Sequence, residues 1–149
     1  MNLRTVFIGF PKTRAKRIVE SLARSANLEM DVRLADDAGE DEADLASRLD
    51  VVFVSTEIGW RRLGPWVEQV RRDNRSVPIV LTYGREPDGW TFQISSRYDC
   101  WLFSETDCLG RGLNLDELGE ALRVRVKTGE IKSRLIDISA CSGPCSTGG

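Results

Sequence analysis

The chain has 149 residues, 41% of them apolar and 30% charged, with a formal net charge of −2. That is the length of a single domain with enough apolar residues to bury a core, and the near-balanced charge offers no global field for nucleic acid or an anionic membrane. No apolar run approaches the ~20 residues of a membrane helix. The opening MNLRTVFIGF has no leader-like apolar stretch or small-residue cleavage site, so the cytoplasm is the expected compartment.

Histidine is absent, which removes the commonest general base, the commonest zinc ligand and the usual partner of a serine nucleophile. The four cysteines, Cys100, Cys108, Cys141 and Cys145, read as free thiols in a cytosolic chain. Cys141 and Cys145 have CxxxC spacing rather than the CxxC of zinc ribbons. Neither GxGxxG nor GxxxxGK[ST] occurs. No metal or cofactor is expected, and no acid/base pair marks the chain as an enzyme.

In chain order, RTVFIGF (residues 4–10) reads as a buried strand. Pro11 opens a helix with Thr13 as a candidate cap, and Ala15, Ile18, Val19, Leu22 and Ala23 repeat at helical spacing. Lys12, Arg14, Lys16 and Arg17 take the opposite face, whose ordinary role is solvation. LEMDVRL (residues 28–34) alternates apolar and polar residues as an edge strand does. The acidic stretch 36–44 is expected to be a solvated loop, and Leu45, Ala46 and Leu49 a short second helix.

DVVFVSTE (residues 50–57) is the central feature: a short β-branched and aromatic run that reads as a strand buried on both faces. Residues 58–65 are expected to be a loop broken by Gly59, Gly64 and Pro65, with a helix over 66–74. VPIVLT (77–82) is a fourth strand, residues 90–97 a weak helix and CWLF (100–103) a fifth strand. Asn114 and Glu117 have the spacing of a capping box at the start of a last helix carrying Leu115, Leu118, Leu122 and Val126. From Gly129 the pattern is lost, so the expected organisation is a domain over 1–128 and a flexible linker or tail over 129–149.

Five strands alternating with five helices imply an α/β protein, a flavodoxin-like three-layer α/β/α sandwich on a five-stranded parallel sheet of order 2-1-3-4-5. Chemistry in such a sheet sits at the carboxyl ends of the strands, and the central strand ends in Ser55, Thr56 and Glu57.

Over residues 3–128 the element order and the strings DVVFVS, VPIVLT and DCWLF resemble the receiver domain of bacterial response regulators. That resemblance implies a phosphoacceptor aspartate at the end of the third strand, two Mg²⁺-binding acids after the first, a Thr or Ser ending the fourth and a Lys after the fifth. In this sequence those positions carry Ser55, Phe10 and Pro11, Thr82, and Ser104. Only Thr82 keeps the family's residue type; Trp101 takes the place of the switch aromatic, and Tyr83 crowds the pocket. Hard cations want several carboxylate oxygens, which Phe10 and Pro11 cannot supply. Glu57 and the Ser55 hydroxyl are weak substitutes for the acceptor.

The chain is therefore similar to atypical, phosphorylation-independent receivers, such as those of amidase-type antiterminators and of pilus-localisation ATPases. The resemblance implies a regulatory module of a longer protein, working through a protein partner or dimerisation on the face formed by the fourth helix, fifth strand and fifth helix. Trp90, Trp101, Phe103 and Leu118 are the residues expected on that face. No role with membrane is expected, and none with nucleic acid for this domain alone. Trp60 and Trp90, at the carboxyl edge beside Arg61 and Arg62, have the composition of an interface. The rival reading is a small-molecule sensor controlling transcription or antitermination, with the ligand in a carboxyl-edge crevice.

Overall fold

The computed structural model describes residues 2–36 and 39–128. The elements run β1 (Asn2–Ile8), α1 (Lys12–Ala26), β2 (Glu29–Ala35), α2 (Glu40–Ala46), β3 (Val51–Ser55), α3 (Trp60–Asp73), β4 (Ile79–Thr82), α4 (Gly89–Tyr98), β5 (Trp101–Phe103) and α5 (Leu115–Thr128). All strand pairs are parallel, and the sheet order is β2-β1-β3-β4-β5. This is the flavodoxin-like arrangement that the strand and helix pattern implies. The tail from residue 129 onward, with Cys141 and Cys145, lies outside the described residues.

The sheet divides two cores. On one face α1 and α5 cover Leu3, Phe7, Phe53, Val80, Trp101 and Phe103. Register puts Phe7 beside Phe53, and their rings stack 4.4 Å apart at 8°. On the other face α2 and α3 cover Val6, Ile8, Val52, Val54, Ile79 and Leu81, with Trp90 and Ile94 of α4 packed at the margin. Every residue of β3 is buried, as expected of a strand with helices on both sides.

Several local expectations are corrected. Helix α1 begins at Lys12 with extended Pro11 at its N-cap, and the Pro11 carbonyl accepts the first helical N–H groups from Arg14 and Ala15 at 3.1 Å each. Thr13 lies inside the first turn and caps nothing. Residues 60–65 are helix rather than loop, because Leu63, Trp66, Val67 and Val70 form one buried stripe across Pro65. Their burial outweighs the hydrogen bond that Pro65 cannot donate, a loss of about 3 kcal/mol in a helix interior. Part of the acidic stretch is also helical, since α2 starts at Glu40. The expected capping box is present: Asn114 N–H donates to Glu117 Oε1 (2.9 Å) and Glu117 N–H to Asn114 Oδ1 (2.8 Å).

The largest correction concerns the expected interaction surface. Trp101 is 1% exposed, and Phe103 and Leu118 are fully buried. Residues two apart on a strand share a face, so Trp101 and Phe103 both enter the α1/α5 core while Leu102 turns away. Leu118 belongs to the inner stripe of α5 with Ala121 and Leu122. Trp90 is half-buried, and the exposed aromatic on α4 is Phe92.

At the amino edge of the sheet, the Arg71 guanidinium donates to four carbonyls, those of Asn74, Val77, Tyr98 and Asp99, at 2.6–3.3 Å. This ties the ends of α3 and α4 to the entry of β4. Burial pushes its pKa down from the ordinary arginine value, and the nearby Cys100 and Asp99 act against that shift.

Candidate functional site at the carboxyl edge

The five positions that the receiver resemblance singles out all fall at the carboxyl ends of the strands. Ser55 closes β3 opposite Thr82, which closes β4; Ser104 follows β5, and Phe10 and Pro11 follow β1. The topology thus brings them to one edge, where Phe10, Ser55, Thr82 and Ser104 are buried and Pro11 is exposed at the N-cap of α1.

Ser55 is 1% exposed, and its Oγ accepts the N–H of Glu57 at 3.3 Å. It caps the short 3₁₀ turn Thr56–Ile58, in which Glu57 is exposed. The Thr56 hydroxyl donates across to the Thr82 carbonyl (3.1 Å), whereas the buried Thr82 Oγ1 has no partner among the described residues. Ile58 covers Gly9: a β-carbon on Gly9, which has φ +77°, would meet Ile58 Cγ2 at 2.6 Å. Only glycine combines that backbone with that approach.

Phe10 is 8% exposed, edge-on to Phe7 with centroids 5.1 Å apart, and the Arg14 guanidinium lies 5.5 Å above its ring. Arg14 and Arg17 reach Glu105 at 4.0 and 3.3 Å, so two residues of the basic stripe brace the loop after β5. Ser104 donates to the Gly84 carbonyl (2.6 Å) and accepts the N–H groups of Thr106 and Asp107 (3.1 Å each). Among the described residues no three His, Cys, Asp or Glu side chains gather where a cation could sit.

Beside this edge is a network that sequence reading missed. The Asp107 side chain is 2% exposed. It accepts the Tyr83 hydroxyl at 2.6 Å, the Arg111 guanidinium at 3.1 and 3.3 Å, and the N–H groups of Leu109 and Arg111 at 2.9 and 3.2 Å. Arg111 also donates to the Arg85 carbonyl (2.8 Å), joining the loop after β5 to the loop after β4. Burial opposes ionisation of Asp107, but the bonds from Arg111, Tyr83 and the backbone outweigh it and hold the carboxyl well below the usual carboxylate range. Burial, then the bond to Asp107, pushes the Tyr83 phenol above its ordinary value. At Gly112 a β-carbon would come within 2.8 Å of Tyr83 Oη and 2.9 Å of the Leu102 carbonyl, so the loop closes only with glycine there. Tyr83 is thus the anchor of a latch as well as a filler. The i, i+4 spacing of Asp107 and Arg111 was the available signal, but it carries no weight in a loop.

The remaining candidates separate. Trp66 is core at 4% exposure, whereas Trp60 is 53% exposed with Arg61 stacked 5.5 Å from its ring. Trp60, Trp90, Ile94, Tyr98 and Arg97 line a shallow groove between α3 and α4. Cys100 and Cys108 are free thiols. Burial pushes the Cys100 thiol up to about 12, which makes it inert.

No family model and no curated protein matches this chain. Solved structures do. A two-component response regulator of the LuxR family from Aurantimonas sp. is 11% identical with a TM-score of 0.63, over 94% of this chain and 96% of that one. A protein described as pilus assembly-related from Burkholderia pseudomallei is 11% identical with a TM-score of 0.61, over 84% of this chain and 90% of that one. The chemotaxis response regulator CheY4 of Vibrio cholerae is 16% identical with a TM-score of 0.51, over 85% of this chain and 98% of that one. At these identities the likeness establishes the fold: this chain has the CheY-like architecture of response-regulator receivers.

Proposed function

We propose that this chain is an atypical receiver-fold signalling module that works by protein–protein association without phosphorylation, without catalysis and without a metal ion. The observation that carries this reading is the state of the carboxyl edge. Phosphorylating a carboxylate needs an acceptor and a held divalent cation, and a hard cation wants several oxygen ligands. Here the acceptor position is a buried serine bonded to backbone, one metal position is a core phenylalanine and the other is a helix-capping proline. The lysine position is a serine saturated by three hydrogen bonds. No single neighbouring acid restores such a site, because the acceptor, both metal acids and the lysine have all been replaced and only Thr82 remains.

On this reading the output surface lies on the helices and sheet edges rather than at the strand ends, and the cytoplasm is its compartment. On α4, Phe92 is the exposed aromatic accessible to a partner, while Trp90 is half-buried beside α3. The test is amide NMR in the presence of Mg²⁺ and beryllofluoride, with acetyl phosphate as a second donor. The spectrum is expected to stay unchanged; shifts centred on Ser55, Thr82 and Ser104 would overturn the proposal.

A further inference from the structure

The two lateral edges of the sheet differ. β5 is three residues long, and Leu113 bridges to it beside Phe103. β2 is seven residues long, paired to β1 along its whole length from Asn2↔Glu29 to Ile8↔Ala35, and among the described residues no strand lies on its other side. It is also poorly covered: only Met30 and Ala35 are half-buried, the other five residues are exposed, and Val32 and Leu34 are each 42% exposed. Strands of a doubly wound sheet normally lie beneath helices on both faces. A long open edge with apolar side chains is a template for another strand.

We propose that the open edge of β2 is a self-association surface, on which β2 of a second copy of this chain lies antiparallel about a two-fold axis through Val32. This inference rests on the reading that the module works by association, and it supplies a partner and a surface. The support is the self-complementarity of Glu29-Met30-Asp31-Val32-Arg33-Leu34-Ala35. With Val32 opposite Val32, Asp31 of each copy faces Arg33 of the other and Met30 faces Leu34.

The register with β1 shows that these pairs fall on consistent faces. Met30, Val32 and Leu34 lie alongside Leu3, Thr5 and Phe7, while Asp31 and Arg33 lie alongside Arg4 and Val6. One face of the joined sheet would therefore carry six apolar side chains from the two copies, and the other two opposite-charge pairs, each a favourable cross-strand contact. Among the described residues neither Asp31 nor Arg33 has an ion-pair partner.

The pattern also selects the register. Centring the axis on Arg33 sets the two arginines against each other, centring it on Asp31 sets the two aspartates against each other while Glu29 faces Arg33, and a one-residue slip puts apolar side chains on the charged face. Charges on an edge strand commonly serve to repel foreign strands; here the register centred on Val32 is the one that pairs Asp31 with Arg33 and Met30 with Leu34 and sets no like charges against each other. The resulting contact is isologous and closes as a dimer.

Sedimentation equilibrium of the full chain tests this, with Asp31→Arg, Arg33→Asp and the double variant; all the changes are at exposed positions, and circular dichroism checks the fold. The wild type is expected to form a reversible dimer that each single variant weakens at least about tenfold. The double variant is expected to dimerise again, and a mixture of the two single variants to form a heterodimer, since one then carries two arginines and the other two aspartates. A wild type that stays monomeric up to about 1 mM, where even weak contacts populate, overturns the inference. So does a dimer indifferent to both single changes; that result leaves the association reading standing through another face, whereas a beryllofluoride response defeats the proposed function itself.

Discussion

The carboxyl edge and the β2 edge of this sheet resolve the same backbone problem in opposite ways. At the carboxyl edge, where receiver-fold proteins keep their chemistry, polar groups are turned inward: Ser55 caps a turn, Ser104 holds two loops, and Asp107 collects Tyr83 and Arg111. At β2 the groups are left open, with no strand on its outer side among the described residues and Val32 and Leu34 partly exposed. A site that binds or reacts needs unsatisfied groups, since a saturated polar atom offers a ligand little net hydrogen-bond energy. By that criterion the β2 edge is the better candidate for association, and the buried Thr82 Oγ1 is the group at the carboxyl edge that lacks a partner among the described residues.

The largest expected effect tests whether Trp101 is core or surface. Trp101→Ala should lower unfolding stability by about 3–5 kcal/mol in urea denaturation; a loss below about 1 kcal/mol would return Trp101 to the surface. Next is the attempt to reopen the carboxyl edge. Ser55→Asp places a carboxylate at a position 1% exposed, where the described residues offer no cluster of acids to share a cation. The variant should lose about 2–3 kcal/mol and still show no amide shifts with beryllofluoride and Mg²⁺. A response would mean that one substitution, not a coordinated loss, silenced the site.

The Asp107 latch predicts a specific pH dependence. Its carboxyl has a depressed pKa in the folded state, so its contribution is present above the unfolded value of about 3.9 and is lost as pH falls through the folded value. The Tyr83 phenol is raised in the folded state, so its contribution is present below about 10 and is lost as pH rises through the folded value. Asp107→Asn should cost about 2 kcal/mol at pH 7 and flatten the acid limb of the stability profile, whereas Tyr83→Phe should cost about 1 kcal/mol and flatten the alkaline limb. Unchanged limbs in chemical denaturation across pH would show that the latch contributes nothing. The smallest effect on folding belongs to β2, where Asp31→Arg and Arg33→Asp should each move monomer stability by less than about 0.5 kcal/mol while changing association. That separation is what distinguishes an open edge from a structural one.

Much of the architecture was legible because it depends on local periodicity. Buried parallel strands are continuous apolar runs, as in VVFV, and the helices carry stripes at three- and four-residue spacing, so element order and right-handed crossovers left one natural sheet order. The replaced acids at Phe10, Pro11 and Ser55 were visible for the same reason, as positions at strand ends. Two kinds of fact were not visible. The direction of Trp101 and Phe103 depends on which face of the sheet meets α1 and α5, and a three-residue strand has too little alternation to declare it, whereas Leu118 already belonged to the apolar stripe of the last helix. Residues 60–65 read as loop because Pro65 and Gly64 outweigh a stripe that only the packed partner reveals.

The sequence by itself determined the layers, the strand order and the replacement of the receiver's acids by Phe10, Pro11 and Ser55, because each follows from residue type and spacing along the chain. Only the tertiary structure decided that Tyr83, Asp107 and Arg111 meet, that Ile58 covers Gly9, and that no strand among the described residues pairs the outer edge of β2. Those facts depend on how loops from different strands close over one another and on how far the helices extend beyond the sheet. Distances between groups far apart in sequence are set by packing, and no local pattern records them.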